Sequence, residues 1–157
     1  MEYMQRLDCG CGINKKPGFV GIDIFDWSSM YPKDEFIYGM IPDIFSNFTD
    51  SSIEEVYARH FIEHIPQYQV IETFNEIYRI LIPEGLFEIF VPPTTGRGAF
   101  CDPTHSSFWN DLSFRYFDMT WDKGLSESYG IKCNFKILEN KIINEFNLHA
   151  MLKAVKS

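Results

Sequence analysis

The sequence predicts a layered α/β fold with a mainly parallel sheet of about seven strands and an antiparallel hairpin at its C-terminal end. Three observations support this prediction. Short apolar segments recur along the first half of the chain, one later segment is apolar along nearly its whole length, and the C-terminal part alternates apolar with polar residues. The 157 residues contain no repeat, low-complexity tract or linker, so we expect one domain over residues 1–157.

The first four strands are predicted from apolar runs bounded by turn-forming or charged residues. They cover residues 7–9, 19–24, 36–40 and 56–58. A helix follows over residues 70–81, where six apolar residues share one face at a period of 3.6: Val70, Ile71, Phe74, Ile77, Tyr78 and Leu81. Pro83-Glu84-Gly85 is expected to end this helix, because proline cannot continue the hydrogen-bonded turn.

The second half of the chain completes the sheet. Residues 86–91 form a nearly continuous apolar run, which is typical of a strand buried on both faces. A long loop over residues 94–110 precedes a short predicted helix at residues 112–117. Apolar and polar residues alternate over residues 131–137, which indicates a half-exposed strand. A turn at residues 139–141 is expected to lead into a last antiparallel strand that ends near Val155.

The charge of the chain argues against several kinds of partner. Fourteen Lys and Arg residues against 22 Asp and Glu residues give a formal net charge of −8, so we expect neither nucleic acid nor an anionic membrane as a partner. No apolar stretch approaches the roughly 18 residues needed to span a bilayer, and the first residues lack a signal pattern. We therefore expect a cytoplasmic protein with reduced cysteines.

Several candidate ligand-binding residues follow the predicted strands, where open α/β sheets bind their ligands. Gly10-Cys11-Gly12 follows the first strand and would let a ligand approach the backbone closely. Asp23 ends the second strand, where a carboxylate can accept hydrogen bonds from a ribose diol. The position that a dinucleotide fingerprint reserves for its third glycine holds Lys15, and a P-loop is absent. The pattern therefore indicates a nucleoside-bearing ligand other than NAD or ATP bound by those motifs.

With these motifs in order, the sequence resembles the class I S-adenosylmethionine-dependent methyltransferases, in particular their small methyltransferase-11-like type. Four segments carry the resemblance: residues 7–12, 17–23, 48–65 and 78–85. The resemblance implies a Rossmann-like three-layer sandwich and the transfer of a methyl group from S-adenosylmethionine, with S-adenosylhomocysteine as product. Acidic charge and the lack of a nucleic-acid module favour a small-molecule or glycan-type acceptor.

The resemblance also implies roles for individual residues. The expected cofactor-binding residues are Asp8, Gly10, Cys11, Gly12, Asp23, Ile24, Asp43, Arg59 and His60. The expected catalytic residues are His60, Asp102 and His105, the last two in the loop after the fifth strand.

The resemblance is incomplete at the cofactor end of the chain. Only residues 13–18 separate Gly12 from the second strand, and the chain begins close to the first strand. A parallel crossover normally takes about a dozen residues, so this one must be minimal or non-helical. We then expect the chain to bind the cofactor weakly, or the second subunit of a homodimer to complete the site.

Two other functions remain open from the sequence. One is a non-catalytic binding domain of the same fold. The other is a zinc hydrolase, because His60-Phe61-Ile62-Glu63-His64 matches the H-x-x-E-H zinc motif. That motif needs both histidines on one helix, whereas His60 directly follows a predicted strand. We therefore expect no metal site, with His64 in a structural role and Glu63 solvated or capping a helix.

Overall fold

The structure, a computed structural model, describes residues 4–157. Its strands form a seven-stranded sheet of order β3-β2-β1-β4-β5-β7-β6. They are β1 (Gln5–Cys9), β2 (Val20–Asp23), β3 (Phe36–Tyr38), β4 (Ile53–Arg59), β5 (Leu81–Val91), β6 (Phe135–Asn144) and β7 (Asn147–Ala154). Strands β1 to β5 are parallel, and β7 pairs antiparallel with both β5 and β6. The predicted mainly parallel sheet with a C-terminal antiparallel hairpin is confirmed.

The helices are few and short. The α-helices are α1 (Gln67–Ile80), α2 (Gly98–Cys101) and α3 (Met119–Ser128), and 3₁₀ helices cover Asp43–Asn47, Ile62–His64 and Ser113–Phe117. The predicted helix over residues 70–81 is α1, and the one at residues 112–117 is the last 3₁₀ helix. Helix α3 escaped prediction because it buries little apolar surface. Within residues 4–157, no helix has the length and apolar character that crossing a membrane requires.

Three predicted element ends are wrong. The strand predicted to begin at residue 131 begins at Phe135. Helix α1 ends at Ile80, and Pro83-Glu84-Gly85 instead forms an irregularity inside β5, where the pairing with β4 shifts and Glu84 has a φ of 68°. Residues 139–141 are not a turn, because β6 continues to Asn144. These residues are polar because β6 lies at the edge of the sheet and is largely exposed there.

One face of the sheet carries the core. The ring of Phe74 from α1 stacks on Phe117 with 4.0 Å between ring centroids and meets Phe87 of β5 edge-on at 5.3 Å. Trp109, from the loop after β5, stacks on the same ring at 5.5 Å. All four side chains are buried. Trp109 and Phe117 are therefore core residues.

The opposite face of the sheet lacks an equivalent helical layer within residues 4–157. The segments between β1 and β2 and between β2 and β3 contain no helix, so the third layer of the predicted sandwich is reduced to loops. The predicted non-helical first crossover is thereby confirmed. Lys16 from this crossover lies over the sheet, with its ammonium 3.0 Å from Glu88 Oε2 and 4.1 Å from the centre of the Tyr57 ring. Glu88 Oε1 in turn lies 3.0 Å from His149 Nε2.

Candidate cofactor and acceptor site

The loop after β1 turns sharply against the end of β2. Gly10 and Gly12 have φ values of 68° and 53°, a region in which glycine is favoured. The Gly10 N–H donates to the carbonyl of Ile22 at 2.8 Å. A Cβ on Gly10 would lie 2.4 Å from Phe61 Cδ2, whereas a Cβ on Gly12 would meet no atom within 4 Å. Gly10 is therefore required by packing, and Gly12 leaves open space beside the loop.

Asp23 connects this loop to the end of β2. Its Oδ2 accepts a hydrogen bond of 2.8 Å from the Gly12 N–H, and its Oδ1 accepts one of 2.9 Å from the Phe25 N–H. The sequence reasoning placed Gly12 and Asp23 in one site, and the structure brings them into direct contact. A carboxylate has about four lone-pair positions, so two remain for hydroxyl donors.

Exposed apolar side chains lie beyond the ends of β2 and β3. Ile24, Phe25, Tyr38 and Met40 are each between 49% and 68% exposed. Such a surface suits a flat aromatic ligand, because burial of apolar area is favourable. Asp43 lies in the first turn of the following 3₁₀ helix and is exposed. Its predicted contact with an adenine amine stays a prediction.

The Asp8 carboxyl lies within β1 and is only 3% exposed. Burial raises its pKa to about 6, although the hydrogen bond from the Lys16 N–H and the nearby Lys15 and Lys16 charges act in the opposite direction. Asp8 lines a cavity of about 570 Å³ together with Gly10 and Arg59. A larger cavity of about 1040 Å³ lies instead around Arg79 and Lys156, away from the ends of β1, β2 and β4.

The neighbouring Cys11 also lines this cavity, and its side chain is buried against β2. A Cβ on Gly21 would lie 2.6 Å from Cys11 Sγ, so the thiol points toward β2. Burial raises the pKa of Cys11 to about 12, and the thiol stays protonated. Cys11 is therefore a buried, protonated thiol, and the four cysteines of the chain are free thiols.

The segment after β4 continues the site. Arg59 ends β4 and is exposed, and its guanidinium lies 5.9 Å from the centre of the Phe90 ring. His60 follows with a φ of 51°, a strained value for a residue other than glycine, and its N–H donates to the Phe90 carbonyl at 2.8 Å. His60 Nδ1 lies 3.4 Å from Oε1 of Glu63.

Glu63 is buried, in contrast to the expectation from the sequence. The expectation of a solvated or capping carboxylate is wrong, since its side chain is 2% exposed. Neither carboxylate oxygen has a hydrogen-bond partner within residues 4–157. The H-x-x-E-H pattern could have indicated a buried carboxylate, but only the fold shows how Glu63 is enclosed.

The loop after β5 packs onto this segment. The N–H groups of Ser106 and Ser107 donate to the Glu63 carbonyl at 2.7 and 3.1 Å. Ser107 Oγ donates to the Ile62 carbonyl at 2.8 Å and accepts from Trp109 Nε1 at 2.9 Å. These bonds fix the loop that carries Asp102 and His105 beside the end of β4.

His105 therefore meets His64 rather than His60. The two rings are 4.9 Å apart, edge to face. His105 Nε2 lies 3.9 Å from Asp102 Oδ2. Thr104 donates its hydroxyl and its N–H to Asp102 Oδ1, and the side-chain bond is the main reason why the pKa of Asp102 lies below its usual value. The predicted catalytic residues thus border one region, with Glu63 and His64 between His60 and His105.

This arrangement contradicts the donor set of the zinc-hydrolase alternative. His60 precedes the 3₁₀ helix Ile62–His64 and His64 ends it, so the two do not share a helical face one turn apart. The nitrogen that gathers with Glu63 and His64 comes from His105. A hydrolase of the H-x-x-E-H type is therefore not supported.

Comparison with known proteins shows the fold. No protein-family model and no curated protein matches the chain. Among solved structures, an S-adenosylmethionine-dependent methyltransferase from Archaeoglobus fulgidus aligns over 97% of this chain and 86% of its own, with 16% identity and a TM-score of 0.68. A chain from the complex of the Haloferax volcanii Trm112 methyltransferase activator with a putative methyltransferase aligns over 100% and 86%, with 15% identity and a TM-score of 0.67.

A third structure carries a bound product. The 1,6-didemethyltoxoflavin-N1-methyltransferase of Burkholderia thailandensis, solved with bound 1,6-didemethyltoxoflavin and S-adenosylhomocysteine, aligns over 96% of this chain and 71% of its own. Its identity to this chain is 13% and the TM-score is 0.64. The chain therefore has the Rossmann-like fold of class I S-adenosylmethionine-dependent methyltransferases, as the sequence motifs predicted.

Proposed function

We propose that this protein is an S-adenosylmethionine-dependent methyltransferase that acts on a small-molecule or glycan-type acceptor. The observation that carries the proposal is the contact between Gly12 and Asp23 at adjacent strand ends, within a fold that solved methyltransferases share. This contact joins a backbone turn with open space beside it to a carboxylate with free lone pairs.

The residues present fit S-adenosylmethionine. Gly10 and Gly12 would lie beside its methionine part, and Asp23 would accept hydrogen bonds from the ribose hydroxyls. The exposed Ile24 offers the adenine an apolar surface, and Asp43 would accept from its amino group. Arg59 and His60 would lie near the sulfonium, with Asp8 beneath the loop.

Methyl transfer requires no covalent bond between the protein and the substrate. S-adenosylmethionine, when bound, would supply a methyl group on a positively charged sulfur for transfer to a lone pair of the acceptor, with S-adenosylhomocysteine as the leaving group. The chain must position the acceptor and exclude water. His60, Asp102 and His105 border the proposed acceptor region. A general base is needed only where the nucleophilic atom of the acceptor carries a proton, and we assign that role to a histidine.

A non-catalytic binding domain is the second candidate. The observation that favours it is the reduced third layer, which leaves Ile24, Phe25, Tyr38 and Met40 exposed. A homodimer that covers these side chains would reconcile the exposed surface with catalysis. Transfer of the methyl group to any acceptor would exclude the binding-domain function.

Thermal unfolding with S-adenosylmethionine and S-adenosylhomocysteine tests the proposal. A ligand at about 100 times its Kd adds about 2.7 kcal/mol to the free energy of unfolding, which raises Tm by roughly 5–10 °C at this size. No shift at millimolar ligand would contradict it.

A matched pair of variants tests the assigned carboxylate. Asp23→Asn should weaken binding of S-adenosylhomocysteine by about 1.5–3 kcal/mol, because a charged acceptor is lost. Asp26→Asn makes the same charge change at an exposed position three residues on and should leave affinity unchanged. Calorimetry that gives equal affinities for both variants would refute the role of Asp23.

A further inference from the structure

Three polar side chains converge between the segment after β4 and the loop after β5. One carboxylate oxygen of Glu63 and one ring nitrogen each of His64 and His105 lie within 4.8 Å of one another. We propose that these three residues form a binding site for a divalent first-row transition-metal ion such as Zn²⁺. The proposal departs from the sequence expectation of no metal site.

Glu63 gives the first argument. Moving a carboxylate out of water is costly unless it is paired or hydrogen-bonded. Yet both oxygens of this side chain lack a hydrogen-bond partner within residues 4–157. His60 Nδ1, 3.4 Å from Oε1, is the near charge partner, but it belongs to an exposed residue and approaches one oxygen only. A bound cation would compensate the buried charge.

The tautomer of His105 gives the second argument. His105 Nδ1 lies 2.8 Å from the carbonyl oxygen of Ala99. Because a carbonyl can only accept, Nδ1 must carry the hydrogen. Nε2 of the neutral ring then carries the lone pair and is the nitrogen left to bind a ligand.

His64 is oriented in the same way through Thr104. The Thr104 hydroxyl donates its single hydrogen to Asp102 Oδ1 at 2.7 Å. The same oxygen lies 3.0 Å from His64 Nδ1 and has no second hydrogen to donate, so it must accept a hydrogen bond there. Nδ1 of His64 therefore also carries hydrogen. In both rings Nε2 therefore carries the lone pair, and Nδ1 is held by a hydrogen bond, as is usual for metal-binding histidines.

The donor set selects the class of metal. Two imidazole nitrogens and one carboxylate oxygen suit Zn²⁺ or Fe²⁺, whereas Mg²⁺ and Ca²⁺ prefer oxygen ligands throughout. Three protein ligands also leave a coordination position open, as in catalytic zinc sites. If the proposed function holds, a hydroxyl oxygen of the methyl acceptor would occupy that position, and the cation would lower the pKa of that hydroxyl.

Metal binding can be measured on the full chain without any cofactor. The protein is stripped with a chelator, exchanged into metal-free buffer and titrated with Zn²⁺ by calorimetry, and with Co²⁺ by visible absorption. We expect one ion per chain, a rise in Tm of roughly 5–10 °C at 100 times Kd, and a change in the Co²⁺ spectrum when acetohydroxamate fills the open position. Substoichiometric binding, or no Tm shift, would overturn the proposal.

Variants separate this site from adventitious binding. Glu63→Gln and His105→Ala should abolish the Tm shift, and Thr104→Val should weaken Zn²⁺ binding by roughly 10- to 100-fold through loss of the bond that orients His64. His149→Ala removes a histidine outside the cluster and should bind Zn²⁺ like the unmodified protein. Equal Zn²⁺ affinity in the Glu63 and His149 variants would overturn the site.

The metal-free protein gives a further check. Without metal, Glu63→Gln should have a higher Tm than the unmodified chain, because a buried unpaired charge is removed. A lower Tm together with unchanged Zn²⁺ binding would assign Glu63 to an ion pair with His60 instead. Binding of S-adenosylhomocysteine, measured on the same variants, shows separately whether the proposed function fails.

Discussion

Asp8 should make the protein less stable as the pH rises from about 4 to about 6. Its pKa is about 6 in the folded chain and 3.8 when unperturbed, so over this range the folded state holds more protons than the unfolded state. The free energy of unfolding therefore falls with rising pH. A pKa difference of about two units corresponds to about 3 kcal/mol of the free energy of unfolding, and this contribution is fully lost above pH 6.

Asp8→Asn isolates this contribution. The amide cannot ionise, and its oxygen can still accept the hydrogen bond that the Lys16 N–H gives to Asp8 Oδ2 at 2.7 Å. Urea unfolding of both proteins should show the variant gaining about 2.5 kcal/mol relative to the unmodified chain between pH 4 and pH 7. Comparing the two proteins cancels the titration of other groups. A difference that is flat with pH, or that shrinks as the pH rises, would refute the argument.

Two further predictions concern stability. Gly10→Ala should cost about 1–3 kcal/mol, because the new Cβ would meet Phe61 and the φ is 68°, while Gly12→Ala should cost about 1 kcal/mol because only its positive φ is unfavourable. Equal urea midpoints for the two variants would contradict this reasoning. Arg79→Met should lower stability by about 2 kcal/mol, because the guanidinium donates to two backbone carbonyls, whereas Lys123→Met removes an exposed ion pair and should change the urea midpoint little.

The fold was predictable where side-chain periodicity follows burial. The stripe around Phe74 predicted α1, and the apolar run of residues 86–91 predicted most of β5. Periodicity failed at β6, because an edge strand exposes both faces and its sequence then resembles a turn. It also failed at Pro83-Glu84-Gly85, since the same residues that end helices also interrupt strands.

The position of the candidate site was predictable from the strand ends. Gly12 follows β1 and Asp23 ends β2, and the ends of parallel strands lie at one edge of the sheet. The pairing of His64 with His105 was not predictable, because their contact depends on how the loop after β5 folds back through Ser107. The H-x-x-E-H spacing alone pairs His60 with His64, and the strand before His60 argued against that pair, but no sequence pattern indicated His105 in its place.

The short first crossover accounts for both the burial of Asp8 and the exposure of apolar side chains beside Asp23. Because residues 13–18 are too few for a covering helix, Lys16 lies directly on the sheet, and its N–H closes over Asp8. The crossover buries the Asp8 carboxyl, and this burial raises its pKa although the Lys16 hydrogen bond acts in the opposite direction. The same shortness leaves Ile24 and Phe25 exposed beside Asp23. A ligand or second subunit that covers this edge would thus supply the burial that a helical crossover supplies in a longer chain.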